Sequence, residues 1–217
     1  MAIAEALQDL ISRQPWIQLC LLIKMLKTFI KSASGSVLLG VSLCLTAAPA
    51  SAEVFHTVRD LLAAQFKASQ RVTFVQIRPN AGQQQRIEAR LGRALPKREY
   101  TFYVATTDGR VDGYALFDEE RGQHEPISFA TFFDASGQVT RVEVVAYREP
   151  YGDGIRAERF RKQFVGRGAQ SGFAPDRDID AISGATISSR SMCLGVQRAA
   201  LLLKEALLES GTQLAAR

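Results

Sequence analysis

The chain has 217 residues, of which 27 are Lys or Arg and 22 are Asp or Glu, giving a net charge of +5. Hydrophobic residues make up 47% and charged residues 23%, a composition that excludes a disordered chain, a collagen-like chain and a protein with many membrane spans. Three cysteines exclude a disulfide-rich scaffold, and the small positive excess argues only weakly for nucleic acid binding.

The first 52 residues are typical of a targeting segment. Three lysines between residues 24 and 31 precede the apolar run VLLGVSLCLTAA at 37–48, and an A-x-A site at 50–52 follows it. This order predicts a secretory signal peptide that is cleaved after Ala52. The run is shorter than the ~20 residues of a spanning helix, and a retained anchor is the alternative. We therefore expect a periplasmic or otherwise extracytoplasmic protein, free or attached to the inner membrane.

The chain divides into three segments on this interpretation. Residues 1–52 are an N-terminal extension and signal peptide, and Met25 is the expected start because MLKTFIK supplies a complete charged n-region. Residues 53–98 form an N-terminal helical and strand segment, and residues 99–217 form the main domain. The mature chain keeps only Cys193, which we expect to be a buried core thiol.

The elements predicted after residue 52 alternate in type along the chain. Helical spacing predicts a helix over 54–68 and a polar helix over 82–95, with a strand at 72–77 between them. Four strand-like runs joined by turn signals predict an antiparallel meander at 100–106, 111–117, 127–133 and 139–147. A short basic helix at 155–164, a polar loop at 166–178 and a long helix at about 186–209 complete the chain. The fold class is therefore α+β, an antiparallel sheet flanked by helices.

The segment with chemical potential is DAISGATISS, residues 180–189, at the predicted junction between loop and final helix. The first N–H groups of a helix lack intrahelical partners and favour an anion. Gly184 and Ala185 let a ligand approach the backbone. A phosphate site is one interpretation, and an ordinary helix cap made by Ser183 or Thr186 is the other.

The same segment resembles a known family. The pattern D-x-x-[ST]-G-A-T, followed by a hydrophobic residue and Ser or Thr, is the signature of the FMN-binding domain found in Na⁺-translocating NADH:quinone reductase, in Rnf-complex subunits and in small exported flavoproteins. The segments DGRVDGYALF at 108–117, PISFATFFDASGQVTRVEVVAYREP at 126–150 and RFRKQFVG at 159–166 are also similar to it, so the resemblance covers about 100–205. On this resemblance, residues 99–217 are the FMN-binding domain.

The resemblance implies covalent FMN, joined through its phosphate to a threonine by a flavin transferase that uses FAD. The attachment residue is Thr186, and the other positions of the cofactor site are Asp180, Ser183, Gly184, Ala185 and Ser188. The backbone N–H groups of 185–188 and the hydroxyls of Ser183 and Ser188 are candidates for binding phosphate, and Asp180 for recognition by the transferase. Candidates for an apolar slot around the ring are Tyr151, Phe164 and Phe173.

Two other functions remain open. A hydrolase built on Ser183 or Ser188 requires a base, and the two histidines, His56 and His124, are distant in sequence. An exported, non-redox binding module is the second alternative, because five basic residues between 156 and 167 offer a docking helix for an acidic partner. The favoured function is an electron carrier for a membrane redox complex and not an enzyme with its own small substrate, with no nucleic acid partner and no metal.

Overall fold

The computed structural model describes residues 53–54, 56–149 and 152–209. The predicted signal segment, Met25 and Tyr151 lie outside the described residues. Within the described ranges, six strands form one sheet in the order β1-β6-β5-β4-β3-β2, and every neighbouring pair is antiparallel. The strands are β1 (Glu53–Val54), β2 (Arg71–Ile77), β3 (Tyr100–Thr107), β4 (Arg110–Arg121), β5 (Pro126–Asp134) and β6 (Val139–Tyr147). With the helices that pack on it, this sheet confirms the α+β class and the antiparallel meander.

Among the described residues, four α-helices accompany the sheet: α1 (Val58–Gln65), α2 (Ala81–Leu91), α3 (Glu158–Arg161) and α4 (Thr186–Leu202). Short 3₁₀ turns, Asp153–Arg156 and Lys162–Phe164, flank α3, and a π-helical turn, Leu203–Leu208, continues α4. Within the described part of the chain, every helix is too short or too polar to cross a membrane.

The helix boundaries differ from the predicted ones for local reasons. The helix expected from residue 54 begins at Val58, because the Thr57 side chain accepts from the backbone N–H of Asp60 and caps α1. The helix expected to reach residue 95 ends at Leu91, where Gly92 takes a left-handed φ of 69°. The predicted basic helix at 155–164 is broken into three short turns.

The main core lies between α4 and one face of the sheet. Gly195 on α4 faces Phe129 on β5 so closely that a side-chain carbon at this glycine would lie 2.8 Å from Phe129 Cε1, so this glycine sets the approach of helix to sheet. Phe102, Phe129 and Cys193 are all almost completely buried there. Cys193 is thus the buried core thiol that the sequence predicts, and burial raises its pKa to about 12.

A buried charge network joins α4 to β4. Arg198 is 1% exposed and donates to Asp118 Oδ2 from Nε at 2.9 Å and from Nη2 at 2.7 Å. Its Nη1 donates to Glu120, which is also buried. At the surface, the Lys97 ammonium forms a further ion pair with Asp118 at 2.9 Å. The network fixes the C-terminal half of α4 on the sheet.

Candidate functional site

The motif occupies the loop that enters α4 and the first turn of that helix. Gly184 has φ 78° and open space where a side chain would stand, and this left-handed conformation would strain any residue with a side chain. Ala185 is the N-cap residue, and no side chain caps the helix. The alternative in which Ser183 or Thr186 is an ordinary cap is therefore not what the structure shows.

Three predicted side chains lie on the exposed surface of this loop. Asp180, Ser183 and Thr186 are all solvent-exposed. Among the described residues none of the three side chains has a hydrogen-bond or ion-pair partner. The structure thus brings a carboxylate and two hydroxyls to one loop and leaves them available to solvent.

Ser188 is placed differently from the other predicted side chains. It is 4% exposed, and its hydroxyl shares a 3.0 Å hydrogen bond with the Tyr147 hydroxyl at the end of β6. A side-chain carbon on Gly152 would lie 2.7 Å from Tyr147 Oη and 2.9 Å from Ser188 Oγ, so the 152–154 loop closes over this pair. Burial raises the pKa of Tyr147. The Ser188 hydroxyl therefore lies beneath the site and not on its surface.

One fewer backbone N–H group is available to an anion than the four expected at 185–188. The N–H of Ala185 donates to the Ile182 carbonyl at 2.9 Å, and the first helical bond runs from Ser189 N–H to the Ala185 carbonyl at 2.8 Å. Residues 186–188 form the first turn, where N–H groups lack intrahelical acceptors. These three N–H groups, without that of Ala185, are the ones suited to an anion.

Gln163, which the sequence did not single out, and Ser189, the last residue of the motif segment, hold the loop. The Gln163 side-chain amide accepts from the N–H of Asp180 at 2.8 Å and donates to its carbonyl at 3.2 Å. The Ser189 hydroxyl accepts from the N–H of Ile182 at 3.2 Å. Both contacts join a side chain to the backbone of an irregular loop, so no periodic pattern in the sequence predicts them. The loop backbone is therefore fixed at two points while its polar side chains face outward.

A groove of about 290 Å³ runs beside the loop, lined by Arg159, Phe160, Gln163 and residues 180–183. Arg159 is exposed and has no ion-pair partner among the described residues. The groove therefore combines an unpaired guanidinium with the exposed motif.

The predicted ring slot is not formed by the two described aromatic candidates. Phe164 and Phe173 are 0% and 3% exposed and stack on each other with centroids 6.5 Å apart. They belong to the main core, so the assignment of Phe164 and Phe173 to an open slot is wrong. The two buried rings anchor the loops before the motif to that core.

The basic residues of the docking alternative are largely engaged within the protein. Arg161 pairs with Glu143 at 2.6 Å and donates to the Val142 carbonyl at 3.0 Å. Arg167 donates to three backbone carbonyls, at distances of 2.5–2.8 Å, and Lys162 pairs with Glu158 at 2.8 Å. Arg167 thus holds the loop before the motif, and the engaged side chains do not form a continuous free basic face.

The hydrolase alternative has no histidine base at the motif. The partner of Ser188 is Tyr147, and the described residues that line the groove include no histidine. His56 lines a separate groove with Glu143 and Asp153, whereas His124 lies in the turn between β4 and β5. The described residues also contain no group of three or more side chains placed to hold a metal ion.

Comparison with known proteins bears on this geometry. Residues 122–201 match the FMN-binding domain. The matched segment contains the whole motif from Asp180 to Thr186, and it confirms the family resemblance predicted from the sequence. The similarity expected at 108–117 lies outside it.

No curated protein matches the chain. Among solved structures, the crystal structure of Shewanella oneidensis NqrC is similar at 15% identity, with a TM-score of 0.41, over 64% of this chain and 80% of that chain. This degree of similarity adds nothing to the fold described above.

Proposed function

We propose that this FMN-binding domain carries FMN as a phosphoester on Thr186 and relays electrons to or from a membrane redox complex. The observation that carries the proposal is the uncapped start of α4, where an exposed threonine hydroxyl stands beside the backbone donors of the first turn within the matched segment. Phosphate chemistry fits this donor set, since oriented N–H groups and the positive end of the helix dipole both favour an anion.

Covalent attachment gives each part of the motif a role. The Thr186 oxygen forms the new bond to phosphorus and loses its proton, while the bond between the two phosphates of FAD breaks and AMP leaves. The backbone N–H groups of 186–188 hold the phosphate oxygens, and Gly184, without a side chain, leaves the approach open. The Asp180 carboxylate, which would repel a phosphodiester, serves the transferase instead.

When bound, the flavin can exchange one or two electrons with other proteins. In this proposal, electrons enter and leave the flavin through partner proteins. With the export signal predicted at 1–52, this exchange takes place outside the cytoplasm, where a covalent tether prevents loss of the cofactor by dissociation.

A variant at Thr186 tests the proposal. Thr186→Val keeps the β-branch and removes the oxygen, and because the hydroxyl makes no capping bond the variant should unfold with nearly wild-type free energy. With an active flavin transferase and FAD, the wild type should gain the mass of one FMN less one water on the peptide containing 183–190, and Thr186→Val should gain none.

Thr186→Ser is the matched control, because it restores a hydroxyl and should restore attachment. Flavin on Ser188 or Ser189 would overturn the residue assignment. A wild type that stays colourless beside a transferase shown to be active on another acceptor would overturn the function.

A further inference from the structure

Gln163 occupies a rigid position beside the motif. It lies in the 3₁₀ turn between Phe160 and Phe164, whose rings are almost completely buried and pack edge to face with centroids 5.4 Å apart. Its own carbonyl accepts from Arg167 Nε at 2.7 Å. The backbone of Gln163 is therefore fixed both by the core and by a guanidinium.

From this fixed base the Gln163 amide reaches across 17 positions to Asp180. Its Oε1 accepts from the Asp180 N–H at 2.8 Å, and its Nε2 donates to the Asp180 carbonyl at 3.2 Å. A single side chain thus bonds both the N–H and the carbonyl of Asp180, as the backbone of a neighbouring strand would. The Asp180 carboxylate is left exposed, without a partner among the described residues.

The far end of the loop is fixed separately. Ile182 N–H donates to Ser189 Oγ at 3.2 Å, and the Ile182 carbonyl accepts from Ala185 N–H at 2.9 Å. Gly154 packs against Ile182, since a side-chain carbon at that glycine would lie 2.9 Å from Ile182 Cγ2. Within the described part of the chain, the Gln163 amide alone hydrogen-bonds the loop at Asp180, whereas three contacts restrain it at Ile182.

We infer that Gln163 is a positioning residue for the modification of Thr186: it fixes the loop backbone at Asp180, and so the place from which the exposed carboxylate meets the flavin transferase. The inference rests on the proposed function. A loop that is ordered before the encounter loses less conformational entropy when the transferase binds it. Loss of the Gln163 bonds therefore weakens recognition of the acceptor more than it slows the chemical step on Thr186.

The test is the steady-state modification of the purified, unmodified chain by a flavin transferase with FAD. Gln163→Met keeps the length of the side chain and removes both hydrogen bonds. We expect kcat/KM for the acceptor chain to fall about tenfold, the effect of two ordinary hydrogen bonds, with most of the change in KM and the melting temperature close to that of the wild type. Gln163→Glu, which replaces the donor with an oxygen facing the Asp180 carbonyl, should also raise KM.

Gln84→Met on α2, which loses a hydrogen bond to Glu88 far from the motif in sequence, is the matched control and should leave both constants unchanged.

The outcomes separate the two ideas. Wild-type KM in both Gln163 variants overturns the positioning role and leaves the proposed function intact. A fall in kcat that accompanies a lowered melting temperature, with KM unchanged, also overturns it, because that result describes a purely structural contact. A wild-type chain that is never modified overturns the proposed function itself.

Discussion

Glu149 shows how a single carboxylate fixes a turn between two strands. Its Oε1 accepts from the backbone N–H groups of His124 at 2.6 Å and Glu125 at 3.0 Å, in the turn between β4 and β5. Partial burial raises the pKa of Glu149, but these hydrogen bonds and the nearby His124 outweigh burial and leave the pKa below its usual value. Glu149 thereby ties this turn to the chain that leads into the 152–154 loop.

This lowered pKa predicts a pH dependence of stability. The folded pKa lies below that of the unfolded chain, so the carboxylate stabilises the fold above the ordinary value of 4.5, and the stabilisation is lost as the pH falls through the folded pKa. Glu149→Gln should lower the free energy of unfolding at about pH 7 and have a smaller effect at about pH 3. Urea unfolding at the two pH values measures the difference, with Glu99→Gln at an exposed ion pair as control. An equal loss at both pH values would contradict the role of ionised Glu149.

At the scale of elements, β4 illustrates what the sequence predicts and what it does not. The local pattern predicts a strand that ends at Phe117, because the following DEER is charged and typical of a turn. In the structure the strand continues to Arg121, and Asp118 and Glu120 point towards α4, where Arg198 neutralises them. The compensating charge is 80 positions away from Asp118, so local pattern cannot reveal it.

The Arg198 network predicts a large and asymmetric effect on stability. Arg198→Met removes the cation and leaves two buried carboxylates, which should lower the free energy of unfolding by roughly 3–5 kcal/mol. Replacing Asp118 and Glu120 by leucine in the same chain should recover part of this loss, because no buried charge remains opposite the methionine. Denaturant unfolding of the single and triple variants measures both values. A single variant that loses less than the triple variant would contradict this account.

The elements with strong local signals agree with their predicted bounds nearly to the residue. β6 has the expected bounds, Val139–Tyr147, and α4 begins at Thr186 as expected, because alternation in the strand and a glycine before the helix are local features. Thr186 itself came from the family motif. The sequence did not indicate Gln163, nor that the Ser189 hydroxyl of the motif bonds the loop backbone, because both roles depend on contacts that no spacing rule encodes.

For the whole molecule, the segment at 53–98 contributes both edges of the sheet. β2 pairs with β3 from Arg71 opposite Thr106 to Ile77 opposite Tyr100, and β1 pairs with β6 through Glu53 opposite Tyr147. The sheet therefore crosses the predicted boundary at 98–99. Cleavage after Ala52 leaves each of these described pairs intact, because β1 begins at Glu53.

The export proposed for this chain predicts a defined mature N-terminus. When the full chain is expressed with an active secretion system, the protein recovered from the periplasm should begin at Glu53. Intact-mass measurement tests this prediction, and an Ala50→Leu, Ala52→Leu double variant should block cleavage, because the processing site needs small residues. A mature chain that still contains residues 37–48 would favour the anchored alternative.

The uncapped start of α4 has a consequence for the turnover of the protein in the cell. A helix end without a side-chain cap forgoes about 1 kcal/mol of stabilisation, and the phosphate of the proposed Thr186 phosphoester, held by the same N–H groups in the folded chain alone, would supply it. On that proposal the unmodified chain is the less stable form and opens more often to proteases. Quality control would in this way remove chains without flavin preferentially and enrich the compartment in electron carriers that are complete.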